Sequence, residues 1–131
     1  MIIRESLENY LKTIFMLQKR QGQVRSIDVA RELGFSKPSV SVAIKKLRGE
    51  GLVSMDDDKS IFLTEEGENY AVSVLERHIV IEKFLTDILN IDSETAHKDS
   101  CRMEHLISAE TFMKIKESNE EIADVANLIN T

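Results

Sequence analysis

The sequence is poor in the residues that build disulfide frameworks, fibrous repeats and membrane spans. Its 131 residues include one cysteine, one proline and five glycines. A single cysteine cannot form an internal disulfide, and so little glycine and proline excludes a collagen-like or low-complexity chain. No apolar run approaches the roughly 18 residues that a membrane span needs, so we expect neither a transmembrane helix nor a signal peptide. We therefore expect a soluble, cytoplasmic protein that does not act at a membrane.

The acidic excess of the chain is confined to its second half. The net charge is -6, yet residues 1–70 hold 11 basic and 11 acidic side chains, while residues 71–131 hold 6 and 12. This asymmetry indicates two parts with different roles. Within the first part, residues 36–48 carry four cations and no acid. Such a local positive element is suited to nucleic-acid phosphates, although the chain as a whole is acidic.

Helical spacing of apolar residues predicts three helices in the first part. The first spans 6–20 with Ser6 as its cap. The second is short, capped by Ser26 and closed by Gly34. The third is capped by Ser36, and its predicted apolar stripe comprises Val40, Ala43, Ile44 and Leu47. Beyond it, two β-prone runs at 52–55 and 60–63 predict a hairpin.

Four further helices are expected in the second part of the chain. A long helix over 65–89 can be capped by Thr64, a second starts at Asp92 or Ser93 and runs to about 106, and a third, capped by Ser108, runs to about 117. The tail from Ser118 predicts a final amphipathic helix, with a frayed terminus as the alternative. Its apolar residues at helical spacing are Ile122, Val125, Ala126 and Ile129. The predicted fold class is mostly α with a small β hairpin.

Two short helices joined by a tight turn and followed by a hairpin are typical of a winged helix-turn-helix. The third helix would enter the groove, because its first residues are small and its outer face carries donors and cations. The predicted contacts to double-stranded DNA are Ser36, Lys37, Pro38, Ser39, Ser41, Val42, Lys45, Lys46 and Lys59. Three aspartates precede Lys59 in the hairpin loop, so we expect the helix to dominate the contact. The alternative interpretation is a solvated helix face that happens to be basic.

Donor side chains of the kind that bind transition metals lie at helical spacing in the second part. On the helix from 93 to 106 they fall at i, i+4, i+7 and i+8, which places them along one face: His97, Cys101, Glu104 and His105. On the preceding helix His78 and Glu82 are four residues apart. Two such helices packed antiparallel would bring six donors together. Alternatively, the cysteine is only a small buried apolar residue, and His78 and Glu82 form an ordinary ion pair.

The chemistry of these donors favours a divalent transition metal. Thiolate, imidazole and carboxylate together suit Fe(II), Co(II), Ni(II) or Zn(II), whereas an oxygen-rich set would suit Mn(II) or Mg(II).

The order of winged helix, long linking helix and Cys-x-x-Glu-His helix resembles the diphtheria toxin repressor family of metal-dependent transcriptional regulators. The resemblance covers about residues 4–117. It is carried by the strings Tyr10-Leu11-Lys12-Thr13-Ile14, Ser36-Lys37-Pro38-Ser39-Val40-Ser41, Gly51-Leu52-Val53, Leu63-Thr64, Arg77-His78 and Cys101-Arg102-Met103-Glu104-His105. It implies a homodimer that binds operator DNA when loaded with metal and represses genes of metal-ion homeostasis.

The resemblance also implies how the metal ligands are shared between two sites. The primary site would comprise Asn9, Cys101, Glu104 and His105, and the ancillary site His78, Glu82 and His97. Asn9 stands where the iron branch has methionine and the manganese branch aspartate, and Lys12 stands where the manganese branch has a ligating glutamate. Together with Cys101, these departures favour Fe(II); Mn(II) is the alternative, and Zn(II), Co(II) or Ni(II) could substitute.

The expected organisation is a winged helix-turn-helix DNA-binding domain over 1–70 and a helical metal-sensing and dimerisation domain over 71–131, with no SH3-like third domain. Helices from about 65 to 107 would supply the metal site and the two-fold interface, with Leu75, Ile79 and Leu85 as contact candidates. Metal would tie the N-terminal helix, through Asn9, to the helix that carries Cys101.

Three other functions fit part of the sequence. A winged-helix repressor of the multiple antibiotic resistance regulator type would respond to a small organic ligand, but the donor stripe would have no role. An iron enzyme could use two histidines and a carboxylate. However, no glycine-rich phosphate loop, acid-base pair or nucleophile-base motif accompanies them, so we expect no enzyme. A metal buffer would leave the basic helix unexplained.

Overall fold

The computed structural model describes residues 5–130, and the side chains of residues 6–120. The predicted mostly helical chain with one small hairpin is confirmed. In chain order the elements are α1 (Glu5–Gln21), α2 (Ser26–Leu33), α3 (Lys37–Gly49), β1 (Val53–Met55), β2 (Ile61–Leu63), α4 (Glu65–Lys83), a π-helical segment (Phe84–Ile88), α5 (Ser93–Leu106) and α6 (Ala109–Asn130). No helix within residues 5–130 combines the length and the hydrophobicity of a membrane span.

The chain forms two compact units, and the division falls within α4. The first unit is Met1–Ser73 and the second is Val74–Thr131. In the first unit, α1, α2, α3 and the hairpin enclose one apolar core. Its most deeply buried large side chains are Leu11, Ile14, Leu17, Val24, Val29, Val40, Leu47, Leu52 and Ile61. The apolar stripe predicted for α3 is buried at all four positions.

The hairpin of the first unit is antiparallel and is joined by a backbone hydrogen bond to the segment before α2. Its strands pair in the register Val53↔Leu63, Ser54↔Phe62 and Met55↔Ile61. The amide of Ile61 also donates to the carbonyl of Val24 at 2.7 Å, which joins the hairpin to the segment before α2. A two-stranded hairpin is marginal alone, so this extra backbone bond and the packing on the core stabilise it.

Of the caps predicted for the first three helices, two agree with the structure and two do not. Ser36 Oγ accepts the Ser39 amide at 3.3 Å, which confirms the predicted cap of α3. Gly34 closes α2 with a φ of 70°, again as predicted. Ser26 is not the cap of α2, because Arg25 takes that position and its amide donates to the Asp28 carboxylate at 2.9 Å. Ser6 lies inside α1, which already begins at Glu5, so it is not a cap either.

The start of α4 requires a glycine against the hairpin. A Cβ atom at Gly67 would overlap the carbonyl group of Leu52. The same carbonyl accepts the Thr64 amide at 3.1 Å, and Thr64 Oγ1 accepts the Gly67 amide at 3.1 Å. Thr64 therefore caps α4 as predicted, and Gly67 allows the helix to begin in direct contact with the end of the hairpin.

The apolar cluster of the second unit is much smaller among the side chains that the structure describes. Its buried members are Ile81, Leu85 and Ala96, with Phe84, Ile91, Met103 and Ile107 packed against them. Since Leu85 is buried inside the unit, its proposed role in a contact between two copies is wrong; Ile79 is exposed and stays a candidate. The α6 helix is held to α4 by polar contacts. Asn119 Nδ2 donates to the Val80 carbonyl at 3.0 Å, for example.

The helix predicted over 65–89 is α-helical only to Lys83 and continues as a π-helical turn. The Leu89 amide donates to the carbonyl of Phe84, five residues earlier, at 3.2 Å. The Thr86 hydroxyl donates to the carbonyls of Glu82 and Lys83 at 3.1 and 3.3 Å. A hydroxyl that bonds back in this way competes with the regular α-helical pattern. The spacing of apolar residues in the sequence does not indicate this π-helical turn.

The end of the chain is one helix rather than the two predicted. Ser108 Oγ accepts the Thr111 amide at 3.1 Å and caps α6, as expected, but α6 then runs without a break to Asn130. The segment from Ser118 is therefore part of the same helix. The side chains of the predicted apolar stripe lie outside the described residues: Ile122, Val125, Ala126 and Ile129.

Candidate metal centre and nucleic-acid interface

The outer face of α3 is exposed at every position that the sequence predicts to contact DNA. Exposed side chains on and next to the helix are Ser36, Lys37, Pro38, Ser39, Ser41, Val42, Lys45 and Lys46. The helix buries only its apolar stripe, so none of its lysines is needed for the fold. This surface can therefore present its cations and hydroxyls to a negatively charged partner.

The tip of the hairpin carries little net positive charge. Lys59 is exposed and adopts a φ of 63°, next to three aspartates in the chain. The Asp56 carboxylate accepts the Ser60 amide at 2.8 Å and shapes the turn. Phosphate would meet carboxylates here as well as one ammonium group, so the electrostatic attraction is weaker than along α3.

His78 lies at the centre of the donor cluster in the second unit. Its Nε2 atom is 2.9 Å from Glu82 Oε2, and its Nδ1 atom is 2.8 Å from Glu104 Oε2. A neutral imidazole has one N–H and one lone pair, so it can donate to only one of two carboxylates. The pair of contacts therefore calls for another positive charge at or beside the ring. A second proton or a metal ion can supply it.

Cys101 and His97 extend the cluster on the side of His78. Cys101 Sγ lies 3.8 Å from His78 Nδ1 and 3.9 Å from His97 Nε2. One possible ligand atom from each of these three residues lies within 4.8 Å of the others. Glu82 Oε2 is also 3.6 Å from His97 Nδ1. Sulfur, nitrogen and oxygen donors from α4 and α5 thus converge on one small volume.

The donors fit a divalent transition metal in kind and in spacing. A four-coordinate ion with bonds of roughly 2.0 Å to nitrogen and 2.3 Å to sulfur holds neighbouring donors about 3.4–3.6 Å apart. The separations of Cys101 Sγ from His78 and His97 exceed this by only a few tenths of an ångström. Small side-chain adjustments would allow all three residues to bind one ion.

Glu104 and His105 complete the cluster from the interior. Glu104 is fully buried, and its second oxygen lies 3.1 Å from Nε2 of His105, whose side chain is 3% exposed. A carboxylate buried to this degree is costly unless positive or hydrogen-bonding groups surround it. All six predicted donors of the second unit are therefore linked by direct contacts.

The division into two sites that the resemblance implies is not visible in these contacts. Cys101 lies next to His78 and His97, and Glu104 contacts His78, so members of the two expected sets touch each other. Asn9, the remaining predicted ligand, is half-buried on α1 in the first unit. Its role as a ligand stays a prediction.

Two residues at the cluster were missed in the sequence. Ser100 is fully buried, and its hydroxyl lies 3.3 Å from His78 Nδ1. Arg77 donates to the main-chain carbonyl of Glu104 at 3.3 Å and so ties α4 to the end of α5. The only indication in the sequence was that Ser100 precedes Cys101 and Arg77 precedes His78. Serine and arginine are common on helix surfaces, so residue type alone did not distinguish them.

Comparison with known families matches both parts of the chain. Residues 3–61 match the family described as "Iron dependent repressor, N-terminal DNA binding domain". Residues 64–124 match "Iron dependent repressor, metal binding and dimerisation domain". The two matches meet within a few residues of the end of the hairpin. The basic helix and the donor cluster thus fall in different domains of one family.

Individual relatives agree with this assignment. The chain is 39% identical to the transcriptional regulator MntR of Escherichia coli over 109 residues, which are 83% of this chain and 70% of MntR. It is 31% identical to the diphtheria toxin repressor of Corynebacterium glutamicum, with 90% and 52% covered. The solved structure of the manganese regulator SloR has a TM-score of 0.75 at 31% identity, with 89% and 54% covered.

The chain thus spans about half the length of two of these relatives, and the matched part includes both the DNA-binding and the metal-binding domain. Members of this family regulate transcription and are not enzymes. The chain belongs to the iron dependent repressor family of metal-dependent transcriptional regulators.

Proposed function

We propose that this protein is a cytoplasmic repressor of metal-ion homeostasis genes that binds operator DNA as a homodimer when loaded with a divalent metal. One observation carries the proposal. Six side chains of the types that bind transition metals are linked by direct contacts around His78 in the second unit, while the first unit presents a basic helix with an exposed outer face. The first feature suits a sensor and the second a DNA reader.

The metal that fits best is Fe(II). Cys101 supplies a thiolate, and His78 and His97 supply imidazoles, at the distances given above. Thiolate and imidazole suit Fe(II) and Zn(II) better than Mn(II), which prefers oxygen ligands. The neutral side chain of Asn9 and the cation of Lys12, where the manganese branch would have carboxylates, point the same way. When bound, the ion supplies the positive charge that the two carboxylates on either side of His78 call for.

A manganese-responsive repressor is the second candidate. The names of MntR and of the manganese regulator SloR favour it, since these relatives are 39% and 31% identical to this chain. Glu82 and Glu104 provide the oxygen ligands that Mn(II) would need. Zn(II), Co(II) or Ni(II) could occupy the same donors. Affinity for such sites generally rises from Mn(II) through Fe(II) and Co(II) to Ni(II), and cells select among these ions by availability.

Dimerisation is supported by apolar side chains on the surface of the second unit. Ile79, Leu89 and Leu106 are each more than half exposed. A homodimer would place two copies of α3 on two half-sites of a duplex. The spacing of those half-sites would then be set by the dimer.

The proposal is tested by anaerobic binding to labelled genomic fragments. Apo protein is compared with protein given Fe(II), Mn(II) or Co(II), and the Glu104→Gln variant with Glu94→Gln as its matched control. Glu94 lies on the same helix but is 78% exposed and pairs only with Lys98 among the contacts described. We expect specific retention only with metal, loss in Glu104→Gln and retention in Glu94→Gln.

The order in which the ions support retention decides between iron and manganese. If the apo protein and Glu104→Gln bind the same fragment as well as the loaded wild type does, metal is not the switch. A small organic ligand would then become the better explanation of regulation.

A further inference from the structure

Val42 is an apolar side chain near the middle of the proposed DNA-binding face. It lies on the outer side of α3 and is 55% exposed, so the core does not require it. Lys45 and Lys46 follow it at i+3 and i+4, and Pro38 precedes it at i−4, which places all three around it on the helix surface. A valine here can form neither a hydrogen bond nor an ion pair with DNA.

The major groove offers one feature that such a side chain can recognise. Base edges there present hydrogen-bond donors and acceptors, and thymine alone adds an apolar group, its 5-methyl. Cytosine carries a hydrogen atom at the same position. We propose that Val42 contacts the 5-methyl group of a thymine in each operator half-site and so distinguishes a T·A pair from a C·G pair. This inference rests on the proposed DNA-binding function.

The neighbouring side chains are less suited to that discrimination. The Ser36 hydroxyl accepts the Ser39 amide at 3.3 Å and donates to Ser39 Oγ at 2.9 Å, so it is engaged at the start of the helix. Lys45 and Lys46 are flexible cations, which favour phosphates and the acceptors of guanine. Val42 is the branched aliphatic side chain that the exposed face of α3 presents.

A second use of Val42 must be distinguished from this one. The side chain also lines a groove of about 300 Å³ between α1 and α3, together with Tyr10 and Phe35. An apolar segment of another protein could cover that groove. Such a partner would not make the affinity for DNA depend on a methyl group of a base, whereas a thymine contact would.

The test uses full-length, metal-loaded protein and a duplex selected by the wild type from a randomised library. Each thymine is replaced in turn by deoxyuridine, which lacks only the 5-methyl group. Affinities are measured for wild type, Val42→Ala and Val42→Thr. Val72→Ala serves as the matched control, because Val72 is also an exposed valine of the first unit but lies on α4.

For the wild type we expect one position per half-site at which deoxyuridine weakens binding about fourfold, the effect of losing one buried methylene-sized group. Val42→Ala should bind the thymine and deoxyuridine duplexes equally, Val42→Thr should show a smaller penalty than the wild type, and Val72→Ala should keep the full penalty. Far-ultraviolet circular dichroism shows whether each variant is folded.

Two results would overturn the inference while leaving the proposed function intact. In one, Val42→Ala keeps the same deoxyuridine penalty as the wild type. In the other, no thymine of the selected duplex shows a penalty in the wild type. If the metal-loaded wild type selects no sequence from the library, the proposed function itself is wrong, and the inference falls with it.

Discussion

The two units of this protein are built on different kinds of interior. Among the side chains of residues 6–120, sixteen buried apolar residues form one cluster in the first unit, and three form the cluster of the second. The centre of the second unit instead contains buried polar groups: His78, Ser100 and Glu104. Burial of apolar side chains stabilises the first unit without any bound ligand. Buried charges stabilise only when they are paired, so under the proposed function the stability of the second unit would depend on the metal bound at its centre.

This difference agrees with the functions proposed for the two units, DNA binding by the first and metal sensing by the second. A DNA-reading unit must keep α3 in a fixed shape, and a large core does that. A sensing unit must change its stability when a metal binds, and a small core around a polar cluster allows this, since binding to the folded state stabilises it. The protein also offers a convenient probe: it has two tyrosines and no tryptophan, and both tyrosines lie in the first unit. Tyrosine fluorescence therefore reports that unit.

The largest expected effect is on the core of the first unit. Leu47 is fully buried on α3, so Leu47→Ala should lower the free energy of unfolding by about 2–5 kcal/mol. Urea unfolding followed by tyrosine fluorescence measures the change. Met16→Ala is the control, because Met16 lies on α1 of the same unit, is 52% exposed and should contribute much less. Equal losses in the two variants would contradict the assignment of Leu47 to a core that stabilises the first unit.

The second effect is on the metal centre. His78→Ala removes the side chain that contacts both carboxylates and lies beside the thiol of Cys101. We expect the affinity for Co(II) to fall about 100-fold or more, as measured by the absorption of the cobalt–thiolate complex. The urea transition seen by tyrosine fluorescence in the metal-free protein should be unchanged. Full cobalt affinity in His78→Ala would show that the cluster is not the metal site.

The third effect concerns charge on α3. Lys45→Ala and Lys46→Ala should each weaken DNA binding to a similar degree across sequences and should lower the slope of log affinity against log salt concentration by about 1. Lys98→Ala, which removes an exposed lysine of α5, is the control. A comparable change of slope in Lys98→Ala would place the DNA contact in the second unit.

The smallest effect is at the start of α5. Hydrogen bonds from Thr95 hold the pKa of Asp92 below its usual range. A carboxyl whose pKa is lowered by folding stabilises the protein above its unfolded-state pKa and loses that contribution as pH falls through the lowered value. Asp92→Ala should therefore lower the Tm by a few degrees near neutral pH and by less in acid.

Thermal melts followed by circular dichroism measure this difference. Asp99→Ala, which removes an exposed aspartate from within α5, should change the Tm less than Asp92→Ala does. A difference between wild type and Asp92→Ala that grows as the pH falls would contradict the assigned cap.

Local rules predicted much of the fold. Ser36, Thr64, Asp92 and Ser108 each accept an amide at a helix start, as their positions indicate. The rule failed at Ser26, because Asp28 satisfies the amide of Arg25 from inside the helix. Capping depends on which of several nearby acceptors reaches the amide, and residue type does not decide that.

Only part of the candidate site was predicted, because the remaining contacts depend on how the helices pack. Helical spacing places His97, Cys101, Glu104 and His105 on one face, and it predicted their meeting with the preceding helix. It could not show that His78 lies between two carboxylates, because that depends on the packing of α5 against α4. The buried position of Ser100 and the contact of Arg77 with the end of α5 depend on the same packing.

The central claim is that metal at the second unit controls DNA binding by the first, and thermodynamic linkage tests it directly. The affinity for Co(II) is measured with and without a saturating amount of the selected duplex. If metal and DNA are coupled, the duplex must tighten metal binding by the same factor by which the metal tightens DNA binding. We predict equal factors, each at least fivefold. An affinity for Co(II) that the duplex leaves unchanged would contradict the account.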